Sequence, residues 1–222
     1  MIVTISRQAA TNGELIAQLV AERLSLKVFD KEIVEEVARR LHKECGTIKQ
    51  MDEALINPVE SILMEWRESI SEQTYIRQLR GAIRSISKQG NAVIVGRGAN
   101  FILRNPDCLK VRITAPLELR VAMYVAGEGC TEKEALEWIK KTDKRRHDFI
   151  RKYYEADVDN PSNYDVVINL AGLTLEKAVD VIVKAAEIRG ELNIPDEPKA
   201  TLPQYMELLG RRHWKSKPIT TR

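Results

Sequence analysis

The chain has 222 residues, of which 44% are hydrophobic and 30% are charged, and its formal net charge is +3. This composition excludes a disordered or fibrous protein, and a chain of this length fits one large domain with a single core. Its three cysteines lie far apart, without the spacing of a zinc site or of a disulfide framework.

Short β-branched stretches alternate with longer helical patterns along the chain. Such alternation predicts an α/β fold in which helices cover both faces of a parallel sheet. The uninterrupted apolar residues 92–95 are typical of a central strand that is buried on both faces. We predict five strands, over residues 2–6, 27–29, 92–96, 109–114 and 164–169.

Apolar residues recur at helical spacing between the predicted strands. A capping-box pattern, in which Thr131 is followed by Glu134, marks the start of one of these helices. One or two long helices are expected over residues 58–88, as an insertion between the second and third strands. The other predicted helices cover residues 13–24, 31–41, 131–153 and 174–188.

The first predicted strand leads into the first helix through a loop that reads SRQAATNGEL. A loop in this position can bind phosphate, because the unpaired N–H groups and the dipole of a helix N-terminus attract anions. With one glycine and no match to GxxxxGK[ST], the loop taken alone is also explained as an ordinary connection. The candidate phosphate-loop residues are Ala10, Thr11, Asn12, Gly13 and Glu14.

Two polar residues follow later strands, at the sheet edge where open α/β folds bind ligands. Asp30 follows the second strand, and its alternative role is to cap the next helix. Arg97 lies between two glycines after the third strand. We favour bidentate binding of a nucleotide phosphate by Arg97 over a plain surface arginine.

A basic segment reads DKRR and lies within the helix that starts near Thr131. Asp143 and Arg146 in this segment are neighbours on a helix surface, because they are three residues apart. We expect the Asp143 carboxylate to hold the Arg146 guanidinium in place near a transferring phosphate, with Arg151 further along the same helix. The alternative is an exposed basic helix with ordinary ion pairs.

In chain order, the segments ISR…G…I, FDKEI, VIVGR, ITAPLELR, DKRR and YDVVIN resemble the cytidylate kinase-like family of P-loop kinases. The resemblance implies a three-layer P-loop NTPase-type fold around a five-stranded parallel sheet. It implies a phosphotransferase that uses ATP with Mg²⁺ to phosphorylate a nucleoside monophosphate, CMP or dCMP. By position, it implies that Asp30 and Arg97 bind the acceptor, and that Arg146 and Arg151 lie near the transferring phosphate.

The resemblance also predicts how the chain is divided. It implies one kinase-like domain over residues 1–194, with an acceptor-side helical insertion at about 44–90 and a lid at about 131–160. It puts Arg120 in the helix after the fourth strand. Residues 195–222 form a C-terminal basic extension outside the resemblance.

The phosphate loop departs from related chains, in which it resembles YGSGGREIA. Here the stretch reads AATNGELIA, so that Ala10 and Asn12 replace glycines and Glu14 stands where a basic residue is expected. At an effective dielectric constant near 20, two unit charges 4 Å apart interact by about 4 kcal/mol. An acid beside a triphosphate therefore supports an alternative function, a degenerate kinase-like module that binds a nucleotide or another ligand without phosphoryl transfer.

Nucleotides are the partners that these interpretations imply, and a homodimer is left open. No stretch reaches the roughly 18 apolar residues of a membrane span, and residues 2–5 already read as a strand, which leaves no room for a signal peptide. We therefore expect a cytoplasmic protein with no membrane partner. The basic extension, with Trp214 as a stacking group, offers a weaker third function in nucleic-acid binding. A solvated tail is the plainer explanation.

Overall fold

The computed structural model describes residues 1–30, 32–33, 35–37, 39–40, 71–103 and 108–191. Much of the predicted acceptor-side insertion lies outside the described residues. The whole basic extension, with its predicted nucleic-acid contact, also lies outside them.

Five parallel strands form one sheet in the order β2-β3-β1-β4-β5. In this central arrangement Ile5 of β1 is aligned with Val95 of β3 and with Val111 of β4, and all three side chains are buried. The predicted parallel sheet with apolar central strands is confirmed. The strands are β1 (Ile2–Arg7), β2 (Lys27–Phe29), β3 (Ala92–Val95), β4 (Cys108–Thr114) and β5 (Val166–Asn169).

The fifth strand begins two residues later than predicted. Tyr164 closes a 3₁₀ turn by donating its N–H to the Pro161 carbonyl at 3.0 Å. Asp165 then pairs with Lys110 of β4 in both directions, since each N–H donates to an oxygen of the other residue at 2.8 Å. Local turn geometry therefore delays the regular strand to Val166.

Helices cover both faces of the sheet. The predicted capping box starts one of them: the Thr131 hydroxyl accepts the Glu134 N–H at 3.3 Å, and the Glu134 carboxylate accepts the Thr131 N–H at 2.8 Å. The helices are α1 (Gly13–Leu24), α2 (Glu72–Gln89), α3 (Ala99–Ile102), α4 (Leu117–Glu128), α5 (Glu132–Tyr154) and α6 (Leu175–Glu191). The described positions between 32 and 40 are helical as well.

Apolar side chains form two clusters on opposite faces of the sheet. Ile5 of β1 packs in one cluster with Ile16 of α1 and Ile182 of α6. Ile2 of the same strand belongs to the other cluster, with Leu79 of α2. Since successive strand residues point to opposite faces, the central strand contributes to both cores, and the fold has three layers.

Among the described cysteines, Cys108 and Cys130 are free, and burial raises the pKa of the Cys108 thiol to about 11. None of the described helices combines the length and the apolar character that a membrane crossing requires.

Candidate active site

The carboxyl ends of β1, β3 and β4 meet at one edge of the sheet because these strands are parallel. Residues 8–12 leave β1 at this edge and lead into α1. Gln8 fixes the start of this loop on β4: its N–H donates to the Ile113 carbonyl, and its side-chain oxygen accepts the Ala115 N–H, each at 3.0 Å. The candidate phosphate loop thus lies at the edge where open α/β sheets bind ligands.

Two residues of this loop adopt the left-handed backbone conformation. The φ angle is 59° at Ala10 and 52° at Asn12, the two positions where the family resemblance leads us to expect glycine. Glycine adopts this conformation freely and asparagine tolerates it, whereas for alanine it costs about 1–2 kcal/mol. At these two positions the loop therefore adopts a backbone conformation that glycine favours, although neither residue is glycine.

The backbone N–H groups of the loop are suited to an anion. Within the described part of the chain, the N–H groups of residues 10–13 have no hydrogen-bond acceptor. The Thr11 hydroxyl is buried and donates to the Gln8 carbonyl at 2.9 Å, so it stabilises the turn from inside. Unpaired N–H groups at a helix N-terminus bind phosphate and carboxylate groups.

Asp143 of α5 joins its helix to the loop. One of its carboxylate oxygens accepts the Ala9 N–H at 2.7 Å, and the other accepts Nη1 of Arg120 at 2.5 Å. The Arg120 side chain is only 9% exposed, and it also donates to the carbonyls of Ala9 and Ala115. A buried guanidinium is costly without a carboxylate partner, so Asp143 both neutralises Arg120 and fixes the loop.

Glu14, the acid that replaces the expected base, forms an ion pair with Arg7. Its Oε1 atom accepts hydrogen bonds from Nε of Arg7 at 2.9 Å and from Nη2 at 2.6 Å. Burial alone would raise the pKa of Glu14, but the charge and hydrogen bonds of Arg7 hold that pKa below its ordinary value. Glu14 is therefore ionised at neutral pH, with its charge balanced by a neighbouring cation.

Arg146 lies beside the loop, but its contact differs from the predicted one. Its Nη1 donates to the Arg7 carbonyl at 3.1 Å, whereas the Asp143 carboxylate is bound to Arg120 and to Ala9. Arg120 reaches Asp143 from a different helix, so helical spacing within α5 does not reveal the pairing. Burial, and then the charge of Arg7, lower the pKa of Arg146 to about 10. A guanidinium in such surroundings gains from a bound anion.

Arg112 of β4 is a further cation that the sequence analysis did not identify. Its side chain is 6% exposed and donates to the Ser6 hydroxyl at 2.8 Å and to the Asp159 carboxylate at 2.6 Å. The guanidinium also lies over the Tyr164 ring, 5.7 Å from its centre. A single arginine within an apolar strand was the available signal, because a buried charge needs a partner or a function.

The other predicted site residues lie further from the loop contacts. Arg97 is exposed in a left-handed conformation, and its carbonyl accepts the Tyr154 hydroxyl at 3.3 Å. Asp30 is partly buried at the end of β2, where its N–H donates to the Glu32 carboxylate at 3.0 Å. Arg151 is exposed on α5. Among the described residues, no hydrogen bond or ion pair connects these three side chains to the phosphate loop.

An apolar pocket lies next to Arg120, between α4 and the segment that follows β5. Its volume is about 380 Å³. Leu119 and Met123 of α4 line one side, and residues 170–175 line the other. Leu119 directly precedes Arg120, which contacts the loop through the Ala9 carbonyl.

The acids near the loop do not form a preformed metal cluster. Among the residues that the structure describes, there is no group of three or more His, Cys, Asp or Glu side chains that could hold a metal ion.

The candidate phosphate loop follows the central strand, and an apolar pocket lies nearby. Arginines lie around this loop at the end of the same strand and on three other elements. These features are typical of a P-loop phosphotransferase of the nucleoside monophosphate kinase type. The sequence profile of the cytidylate kinase-like family matches residues 2–171. The chain belongs to this family.

Individual relatives agree with this assignment. The chain is 28% identical over 196 residues to cytidylate kinase from Archaeoglobus fulgidus, covering 85% of this chain and 96% of the relative. It is 27% identical over 187 residues to cytidylate kinase from Pyrococcus horikoshii, covering 84% and 88% of the two chains. A crystal structure of an uncharacterized protein from Eubacterium ventriosum superimposes with a TM-score of 0.66 at 27% identity, covering 85% of this chain and 98% of that chain.

The left-handed conformation of Ala10 predicts a stabilising substitution. We expect Ala10→Gly to raise the free energy of unfolding by about 1 kcal/mol, because glycine removes the strain at positive φ. Urea denaturation measures the change. The matched control is Ala122→Gly on the exposed face of α4, which should lower stability by about 1 kcal/mol. Equal losses in both variants would contradict the strained loop.

The contacts of Asp143 predict a large loss of stability. We expect Asp143→Ala to lower the free energy of unfolding by about 3–5 kcal/mol, since it leaves the buried Arg120 charge without a carboxylate. Asp148→Ala removes an exposed carboxylate that pairs with Lys144 on the same helix, and it should have little effect. Similar losses from the two substitutions in a denaturation experiment would argue against a structural role for Asp143.

Proposed function

We propose that this protein transfers the γ-phosphoryl group of ATP to a nucleoside monophosphate, with CMP or dCMP as the acceptor. The observation that carries the proposal is the loop of residues 10–13, whose backbone has the path of a glycine-rich turn and whose N–H groups lack acceptors in the described structure. The choice of CMP or dCMP rests on relatives that are cytidylate kinases.

The reaction needs positioning and charge neutralisation more than covalent chemistry. An oxygen of the acceptor phosphate attacks the γ-phosphorus, and the bond between this phosphorus and the oxygen bridging to ADP breaks. In the proposed complex the loop N–H groups hold the donor phosphates. Arg146 neutralises the charge on the transferring group. Burial lowers the pKa of this arginine, so its charged form gains from a bound anion. Asp143 is a positioning residue, because it acts through Ala9 and Arg120.

The apolar pocket beside α4 fits the base of the donor nucleotide. Leu119, Met123 and the segment 170–175 offer a slot of about 380 Å³ with few charged groups. A purine ring is flat and largely apolar on its faces, so it suits such a lining. In this proposal the base occupies the pocket and the phosphates extend towards the loop.

The proposed acceptor site lies at the ends of β2 and β3. Asp30 and Arg97 follow these two strands at the same sheet edge as the loop. A carboxylate can accept hydrogen bonds from an exocyclic amine, and a guanidinium can bind the monophosphate in bidentate fashion. Arg151, which is exposed on α5, is proposed to approach the transferring phosphate only when the substrates are bound.

Magnesium is expected to accompany ATP. The loop N–H groups and the nearby arginines fit a polyphosphate. Mg²⁺ bound together with the phosphates would neutralise part of their charge. The residues of this chain supply the orientation of the substrates.

The proposal predicts turnover with a pyrimidine monophosphate and a strong dependence on Arg146. With MgATP and a panel of nucleoside monophosphates, CDP or dCDP should form fastest. Arg146→Ala should lower kcat at least about a hundredfold. Arg145→Ala is the matched control, because the Arg145 side chain is on the same helix and contacts Thr142. A coupled assay that finds no ADP formation with any monophosphate would remove the proposal.

One residue supports a second function, nucleotide binding without phosphoryl transfer. Glu14 presents a carboxylate where related chains carry a base, and its side chain is half exposed. This alternative predicts that calorimetry detects a monophosphate but little or no ATP, and that Glu14→Lys strengthens ATP binding. ATP binding by the unsubstituted chain at micromolar to low millimolar concentration would exclude it.

A further inference from the structure

The acid at position 14 raises a physical question about the proposed function. An unpaired carboxylate next to a triphosphate would oppose binding by several kcal/mol. Yet Glu14 is not unpaired, since Arg7 donates two hydrogen bonds to a single oxygen of its carboxylate. The two residues therefore act as one unit, and the position of the Arg7 guanidinium decides what an incoming anion meets.

The Arg7 side chain runs along the mouth of the loop between two glycines. A Cβ atom at Gly13 would lie 2.7 Å from Cγ of Arg7, and a Cβ atom at Gly96 would lie 2.1 Å from Nη1. Side chains at either position would collide with the arginine. The Arg7 side chain therefore packs closely against Gly13 at the start of α1 and against Gly96, which directly follows β3.

The ion pair is asymmetric in its exposure. The side chain of Arg7 is 13% exposed, whereas that of Glu14 is 51% exposed. The guanidinium is therefore the inner member of the pair, close to the loop and to β3, and the carboxylate is the outer member. The negative charge lies on the solvent side of the positive one.

The guanidinium retains free donors. Nε and Nη2 donate to Glu14, but Nη1 has no acceptor among the residues that the structure describes. Its neighbour Arg146 is bound to the Arg7 carbonyl, and the charge of Arg7 contributes to the lowered pKa of Arg146. Two guanidinium groups at the same loop suit a ligand with more than one negative charge.

We propose that Arg7 supplies the cation that contacts the donor phosphates, in place of the base that related chains carry at position 14, and that Glu14 is a positioning residue for Arg7. The proposal rests on the proposed function, since it concerns the same phosphate site. In this proposal Glu14 supports phosphate binding, because its carboxylate holds the Arg7 guanidinium at the loop by two hydrogen bonds to one oxygen.

The two explanations of Glu14 predict opposite effects of one isosteric substitution. If Glu14 positions Arg7, Glu14→Gln weakens MgATP binding about tenfold and raises KM for ATP, with KM for the acceptor little changed. If Glu14 only repels phosphate, the same substitution tightens binding. Glu22→Gln, on the exposed face of the same helix, is the matched control and should leave both constants unchanged.

Two variants of Arg7 test the cation itself. Arg7→Gln should weaken MgATP binding about a hundredfold. The double substitution Arg7→Gln with Glu14→Arg returns a cation to the helix and should recover at least about tenfold of this loss. Circular dichroism verifies that each variant is folded, and the double variant keeps the test valid if a single substitution disturbs the loop.

Calorimetry with MgATP and no acceptor separates the two proposals. If the unsubstituted chain binds MgATP and Glu14→Gln binds it equally or more tightly, the role of Glu14 is overturned while the proposed kinase function stands. If the unsubstituted chain does not bind MgATP at millimolar concentration, both proposals fail together. Weaker binding by Glu14→Gln and Arg7→Gln, with recovery in the double variant, is the result expected here.

Discussion

The arrangement of this site depends on one carboxylate, that of Asp143. It accepts the Ala9 N–H at the start of the loop and an N–H of the buried Arg120, and so links α5, the loop and α4. Burying Arg120 without this partner would be unfavourable, because desolvation of a guanidinium costs several kcal/mol. The interaction that stabilises the domain here is thus the same one that fixes the candidate phosphate loop, and Arg146 of the same helix lies beside this loop.

Charge balance around the loop follows from this link. Three of the arginines around the loop have a carboxylate partner: Arg7 pairs with Glu14, Arg112 with Asp159 and Arg120 with Asp143. Arg146 differs, since its hydrogen bond goes to a neutral carbonyl and burial lowers its pKa. The site therefore contains a net positive charge that a phosphate group can neutralise, and this agrees with membership of a kinase family.

The loop shows that a backbone conformation favoured by glycine can form without glycine. Ala10 and Asn12 both adopt the left-handed conformation. The strain at Ala10 is tolerated because contacts of Gln8 and Ala9 before it and of Thr11 after it fix the turn. Loss of glycine from a sequence motif therefore does not by itself imply loss of the loop.

The sequence alone determined the sheet, its buried central strands, the capping box at Thr131 and the family, because these depend on local periodicity and on the order of short motifs. It also indicated the loop and Arg146. It could not determine that Asp143 binds Arg120 instead of Arg146, that Arg7 neutralises Glu14, or that Arg112 lies beside Ser6. These contacts join residues from different elements, so they exist only once the strands and helices have packed, and no spacing along the chain encodes them.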